Sequence, residues 1–66
     1  MPDERTPQER AALVTERLKD GQVLTVRQVS RLTGLSRSAS WRLLSTLSRV
    51  LPIARSDGEW WLLKRQ

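Results

Sequence analysis

Apolar side chains recur at helical spacing near the start of the chain, between two residues that mark helix ends. Thr6 can cap a helix, and Glu9 stands three residues later, as a capping box requires. The apolar stripe that follows consists of Ala11, Val14 and Leu18. Gly21 is the residue type that ends helices in the left-handed conformation. The pattern predicts a first helix between Thr6 and Gly21, preceded by a disordered segment over residues 1–5.

Two further helices are predicted in the middle of the chain. Thr25 can cap a helix over residues 26–33, which Gly34 ends. Ser36 can cap another helix over residues 37–49. The apolar side of the second helix consists of Val26, Val29 and Leu32. The apolar side of the third consists of Leu43, Leu44 and Leu47, with Ala39, Ser40 and Val50 on the same broad side.

The last part of the chain has the pattern of a β-hairpin. Residues 53–55 and 59–63 flank Asp57-Gly58, a dipeptide that favours a two-residue hairpin turn. Residues 22–24 are long enough only for a strand stub. Side chains alternate between the two faces of a strand, and this alternation places Ile53, Trp60 and Leu62 on the core face. The other face holds Trp61 and Leu63, which need cover from the first helix, a second protomer or an edge-to-edge contact.

The order helix, strand stub, helix, turn, helix and hairpin predicts one domain over residues 6–66. Gly34 can adopt the positive φ of a tight turn, Ser30 is small enough for close helix packing, and Leu35 can fill the space beneath the turn. The expected fold class is mainly α with a small β-hairpin, a three-helix winged helix-turn-helix domain.

Composition changes this picture by excluding classes of chemistry. The chain has no cysteine and no histidine, which removes the commonest metal ligands, the usual general base and the thiol nucleophile. We therefore expect no enzyme activity, no metal site and no cofactor. No apolar run approaches the roughly 20 residues that cross a bilayer, and the polar N-terminus lacks the hydrophobic segment of a signal peptide. These features predict a cytoplasmic protein without membrane contacts.

Charge is distributed unevenly along the chain. The formal net charge is +5, with −1 on residues 1–20 and +6 on residues 21–66. No acidic residue occurs between Asp20 and Asp57, an interval that contains Arg27, Arg31, Arg37, Arg42, Arg49 and Arg55. This distribution indicates a polyanionic partner, since basic side chains that contact phosphates release counterions. The alternative is an ordinary solvated basic surface.

Residues 35–47 resemble the recognition helix of the N-terminal DNA-binding domain of the IclR family of bacterial regulators. The shared pattern is Leu, a small residue, a basic residue and Ser, then an aromatic residue followed by Arg-Leu-Leu and a further Leu. The resemblance covers residues 8–63, including a wing at residues 56–62, and implies double-stranded DNA binding and transcription regulation. Ser40 departs from the aliphatic residue of the family and needs a backbone hydrogen bond if buried. The effector-binding domain of the family has no counterpart here, so no small-molecule effector is expected.

Helical spacing predicts which side chains would contact DNA. If the leucines face the core, the outer stripe consists of Arg37, Ser38, Trp41, Arg42 and Ser45. Arg37 and Arg42 are expected to carry most of the recognition, one at a base edge and the other at a phosphate. Further phosphate contacts are expected from Ser36 at the start of the third helix, and from Thr25, Arg27 and Gln28 at the start of the second. Arg55 is expected to contact the minor groove or a phosphate from the wing.

Trp41 allows three interpretations, because a large apolar ring on an outer stripe needs a partner. It could contact a thymine methyl group or a sugar, contribute to a dimer surface, or fold back over the core above Ser40.

Three functions fit these patterns. The first is a site-specific regulator at the nucleoid, acting as a homodimer formed through Trp61 and Leu63 or through the N-terminal helix. The second is an architectural nucleoprotein, such as a phage or plasmid accessory factor for excision or replication. The third is a winged-helix protein-interaction module that does not bind DNA.

Overall fold

The computed structural model describes residues 5–63 of the chain. Its elements are α1 (Pro7–Lys19), β1 (Leu24–Thr25), α2 (Val26–Thr33), α3 (Arg37–Val50), β2 (Ile53–Ser56) and β3 (Glu59–Leu62). Three helices and a small antiparallel sheet in this order confirm the predicted winged helix-turn-helix class. None of the helices within this described part is long and apolar enough to cross a membrane.

The ends of α1 are fixed by the two motifs that the sequence predicts. The Thr6 hydroxyl accepts from the Glu9 backbone N–H at 3.1 Å, and the Glu9 carboxylate accepts from the Thr6 N–H at 3.0 Å. At the other end Gly21 has φ 86°, and its N–H donates to the Leu18 carbonyl. The Gln22 N–H donates to the Arg17 carbonyl. These two hydrogen bonds form a Schellman motif, which provides donors for backbone carbonyls that have no partner within the helix.

The segment predicted as disordered falls largely outside the described residues, since residues 1–4 are not described. Arg5 is described, and its guanidinium donates to the carbonyl oxygen of Leu32 at 2.7 Å. This contact joins the start of α1 to the last turn of α2.

The sheet has the strand order β1-β3-β2, with both pairings antiparallel. Asp57 and Gly58 have φ of 52° and 78°, which confirms the two-residue turn with positive φ at both central positions. The strand stub was placed too early in the sequence. The Gln22 N–H closes the end of α1, so pairing starts only at Leu24, opposite Trp60.

The core lies between the three helices and one face of the sheet. Its buried apolar side chains are Val14, Leu18, Leu24, Val29, Leu44, Leu47 and Trp60. The predicted burial of Trp60 is therefore confirmed, and Ile53 and Leu62 pack against the core as partly buried side chains. Val50 was expected on the apolar side but is 75% exposed. It is the last residue of α3, and the extended Leu51 turns back onto the core in its place.

Ser40 lies on the inner face of α3 and is fully buried. The sequence suggested a backbone partner for its hydroxyl, yet Ser40 Oγ has no hydrogen bond to any described residue. Burying a hydroxyl without a partner disfavours folding by about 1–3 kcal/mol. Ser40 therefore makes the interior of α3 less stable than an apolar side chain of the same size would.

Candidate nucleic-acid interface

The turn between α2 and α3 sets the direction in which α3 leaves the core. Gly34 adopts the left-handed conformation at φ 77°, and its N–H donates to the Ser30 carbonyl at 2.8 Å. The Ser30 hydroxyl donates to the Leu35 carbonyl at 2.5 Å. The left-handed conformation confirms the role predicted for Gly34. The Ser30 hydrogen bond was not predicted from the sequence, and the close helix packing predicted for its small side chain stays a prediction.

Thr33 is a buried residue of this turn that sequence reasoning missed. Its hydroxyl donates to the Val29 carbonyl at 2.7 Å and accepts from the Leu35 N–H at 3.3 Å. The side chain is fully buried, so both bonds are shielded from water. A hydroxyl directly before the helix-ending glycine was the signal in the sequence. Thr33 thereby links α2 to the first residue after the turn.

The first turn of α3 contains no acidic residue. Ser36 caps it as predicted, because its hydroxyl accepts from the Ala39 N–H at 3.2 Å. Helix N-termini carry free backbone N–H groups and a partial positive charge, both of which favour a nearby anion. Arg37 and Ser38 are exposed beside this terminus.

The outer stripe of α3 has the orientation that the spacing predicts. Arg37, Ser38 and Arg42 are exposed, and Trp41 is 47% exposed. Ser45 differs from them, since it is half-buried beside the hairpin. Two guanidinium groups and a large ring thus share one face of a single helix. Their contacts with DNA remain a prediction.

The start of α2 has less free hydrogen-bonding capacity than the sequence suggested. The Thr25 hydroxyl accepts from the Gln28 N–H at 3.1 Å, and Gln28 Oε1 accepts from the Thr25 N–H at 2.8 Å. This capping box leaves the Gln28 amide N–H groups and the Thr25 hydroxyl proton as donors. Arg27 is exposed next to them. All the remaining groups can donate to a phosphate.

Three side chains connect α3 to the hairpin. Trp41 meets Trp60 edge to face, with ring centroids 6.4 Å apart and an interplanar angle of 84°. The guanidinium carbon of Arg55 lies 5.1 Å from the Trp60 ring centroid and 5.9 Å from that of Trp41. Trp41 therefore contacts the buried Trp60 of the core while nearly half of its own surface stays exposed.

The strand register explains why Arg55 lies over these rings. Arg55 is directly opposite Trp60 in the β2–β3 pairing, so both side chains are on the same face of the sheet. The wing contact predicted for Arg55 therefore has to come from the side of the hairpin that faces α3. The two-residue turn at Asp57-Gly58 already implies this pairing in the sequence.

A cleft runs between the second half of α3 and the hairpin. It is lined by Trp41, Ser45, Ser48, Arg49, Ile53, Arg55 and Trp60, and no carboxylate of residues 5–63 lines it. Ser48 and Arg49 were not among the predicted site residues. Both continue the helical spacing of the outer stripe, at three and four residues after Ser45, which could have identified them.

Comparison of this chain with protein-family models, with characterised proteins and with solved structures yields no match. The likeness of residues 35–47 to the IclR recognition helix remains an expectation from motif alone.

Proposed function

We propose that this chain binds double-stranded DNA by inserting α3 into the major groove, as a small transcriptional regulator. The observation that carries the proposal is the outer face of α3, where Arg37, Trp41 and Arg42 are exposed on one side of a helix. A major groove about 12 Å wide admits one α-helix. The interval between Asp20 and Asp57, which includes α3, contains no acidic residue that would repel the DNA phosphates.

The two arginines supply both kinds of contact that a recognition helix needs. A guanidinium presents a rigid fork of N–H donors, which matches the O6 and N7 acceptors of guanine and also matches phosphate oxygens. Arg37 is in the first turn of α3, and Arg42 is five residues further along. We assign a base edge to one of them and a phosphate to the other.

Backbone contacts would come from the two helix N-termini. Ser36 and Ser38 lie at the start of α3, and Thr25, Arg27 and Gln28 lie at the start of α2. The first helix of a helix-turn-helix crosses the DNA backbone, so these donors would fix the register of α3 in the groove. The hydrogen-bonded turn at Thr33 would keep both helix starts in one orientation.

The regulator that we propose acts as a homodimer at the nucleoid, in the cytoplasm. A single recognition helix contacts only a few base pairs, and dimers extend the site by binding half-sites about one helical turn apart. Leu63 is 49% exposed and Trp61 is half-buried at the end of β3, which favours this surface for the contact between protomers. The resemblance to IclR regulators supports the same assignment.

Selection of duplexes from a random pool, followed by footprinting of the selected site, tests this proposal. We expect an enriched palindromic site, protected over two half-sites, and a steep fall in affinity as salt increases. The variant Arg37→Ala with Arg42→Ala should lose the enrichment. The matched control, Arg17→Ala with Lys19→Ala, removes the same charge from α1 and should retain it.

Two outcomes would contradict the proposed function. Binding that is indifferent to sequence at physiological salt, with many copies covering the duplex, would indicate an architectural nucleoprotein instead. An absence of duplex binding even at low salt would favour a protein-interaction module.

A further inference from the structure

We infer that the cleft between α3 and the hairpin holds one nucleotide of the DNA backbone, as a clamp that adjoins the outer stripe and shares Trp41 and Ser45 with it. This inference rests on the proposed DNA-binding function and adds to it a second contact. In this clamp Arg49 and Arg55 bind a phosphate from opposite sides, and the exposed part of Trp41 packs against the adjoining sugar.

Arg55 is held in place before any ligand binds. Its guanidinium lies over the Trp60 and Trp41 rings at 5.1 and 5.9 Å, and the side chain remains exposed. A guanidinium above an aromatic face keeps the N–H groups at its edge available to an acceptor in its own plane. A long side chain that is already ordered loses less conformational entropy when it binds. Arg55 is therefore a preorganised phosphate donor, provided by the hairpin.

Arg49 provides the second positive charge from the last turn of α3. It is exposed and lines the same cleft as Arg55. The hydroxyl of Ser48 donates to the Ser45 carbonyl at 2.6 Å, so its proton is already engaged within the helix. The cations of the cleft are thus its strongest donors. The cleft contains two guanidinium groups, and no carboxylate is present among its described lining residues. This combination favours the binding of an anion.

Trp41 decides which anion fits best. Trp41 is 47% exposed and lines the cleft together with the two arginines, so the cleft presents an apolar surface next to its positive charges. A nucleotide has the matching chemistry, because a sugar with little charge adjoins each phosphate. An acidic peptide with an apolar side chain would also match. The nucleotide is favoured because Trp41 and Ser45 belong both to the cleft and to the outer stripe of α3, so one DNA strand can follow both.

The test measures how the affinity of the full chain for a labelled duplex depends on salt. Each phosphate contact contributes about −0.9 to the slope of log K against log salt. We expect Arg49→Gln and Arg55→Gln each to reduce the magnitude of the slope by about one, and the double variant by about two. Arg49→Lys should retain the wild-type slope because it keeps the charge. Lys19→Gln on α1, outside the cleft, removes an equal charge and should leave the slope unchanged.

Trp41 is tested separately, since a sugar contact does not depend on salt. Trp41→Leu should weaken binding by about threefold to tenfold without changing the slope, as the loss of a packed ring does. Thermal unfolding followed by circular dichroism shows whether each variant is folded. Because Arg49 is exposed and outside the core, Arg49→Gln should unfold at the wild-type temperature even if Arg55→Gln does not.

The outcomes separate this clamp from the proposed function. Wild-type duplex binding with a steep slope that neither Arg49→Gln nor Arg55→Gln alters would overturn the clamp and leave DNA binding in place. Failure of the wild-type chain to bind any duplex at low salt would overturn both. Tight binding of a peptide of alternating Glu and Leu, lost in Arg49→Gln and not displaced by duplex, would also overturn the clamp.

Discussion

The two sides of the helix-turn-helix unit, α2 with α3, are built from different chemistry. The inner side is apolar, with Val29, Leu44 and Leu47 buried, and its only buried polar side chains are Thr33 and Ser40 among the described residues. The outer side of α3 consists of exposed arginines, serines and Trp41. Inner side chains therefore determine whether the unit folds, and we propose that outer ones determine what it binds.

The two buried hydroxyls show how a polar group can be placed well or badly on the inner side. Thr33 makes two hydrogen bonds and ties the turn together. Ser40 makes none with the described residues, although it is equally buried. The difference lies partly in the backbone around them. The Thr33 hydroxyl accepts from the Leu35 N–H beyond the turn, in addition to donating to the Val29 carbonyl within α2. The comparison predicts that inner and outer substitutions change different measurements.

The largest effect is expected on the inner side from Leu44→Ala. Leu44 is fully buried, and truncating a buried leucine to alanine destabilises a protein by about 2–5 kcal/mol. Small domains have roughly 5–15 kcal/mol of stability in total, so this variant should lose a substantial part of its unfolding free energy. Urea denaturation measures the change. Leu43→Ala, at a half-buried neighbour, is the control, and an equal loss there would contradict the assignment of the inner side.

Thr33→Val should follow, with a loss of about 1–3 kcal/mol of unfolding free energy. The substitution keeps the shape of the side chain but leaves the Leu35 N–H without its buried acceptor. The same change at the exposed Thr46 should alter the stability by less than about 0.5 kcal/mol. Equal denaturation midpoints for the two variants would show that the turn does not depend on the Thr33 hydroxyl.

On the outer side, Arg42→Ala should lower the affinity for the selected duplex by about 1–3 kcal/mol, the range for one arginine contact with a base. Its unfolding free energy should change by less than about 0.5 kcal/mol, because the side chain is exposed. Arg31→Ala, exposed on α2, is the control for the loss of one charge. If Arg42→Ala lost unfolding free energy as well as affinity for the duplex, the assignment of folding to the inner side and binding to the outer side would be contradicted.

The smallest effect, and one of opposite sign, is expected from Ser40→Ala. Removing the unpartnered hydroxyl should raise the unfolding free energy by up to about 1 kcal/mol. Ser38→Ala at an exposed position of the same helix provides the comparison. A clear destabilisation specific to Ser40→Ala would mean that the hydroxyl has a partner in solution.

Much of the fold could be predicted because its boundaries depend on local chemistry. The caps at Thr25 and Ser36, the left-handed Gly34 and the turn at Asp57-Gly58 each follow from one or two residues. The burial of Trp60 followed from strand alternation. Such features require no knowledge of distant contacts.

The features that were missed depend on contacts between elements. Thr33 is polar and would ordinarily be exposed, and its burial requires the position of Leu35 after the turn. The position of Arg55 over two rings requires the strand register together with the orientation of α3. Val50 shares the helical phase of the core, but the chain turns inward only at Leu51. In each case tertiary structure overrides the local pattern.

We propose that the outer face of α3 contacts DNA, and amide chemical-shift mapping would show residue by residue whether it does. The uniformly labelled chain would be titrated with the selected duplex and followed residue by residue. We predict the largest shifts at residues 36–45, with weaker ones at residues 25–28 and at the hairpin. Shifts confined to α1 and the end of β3, or none at saturating duplex, would contradict the claim.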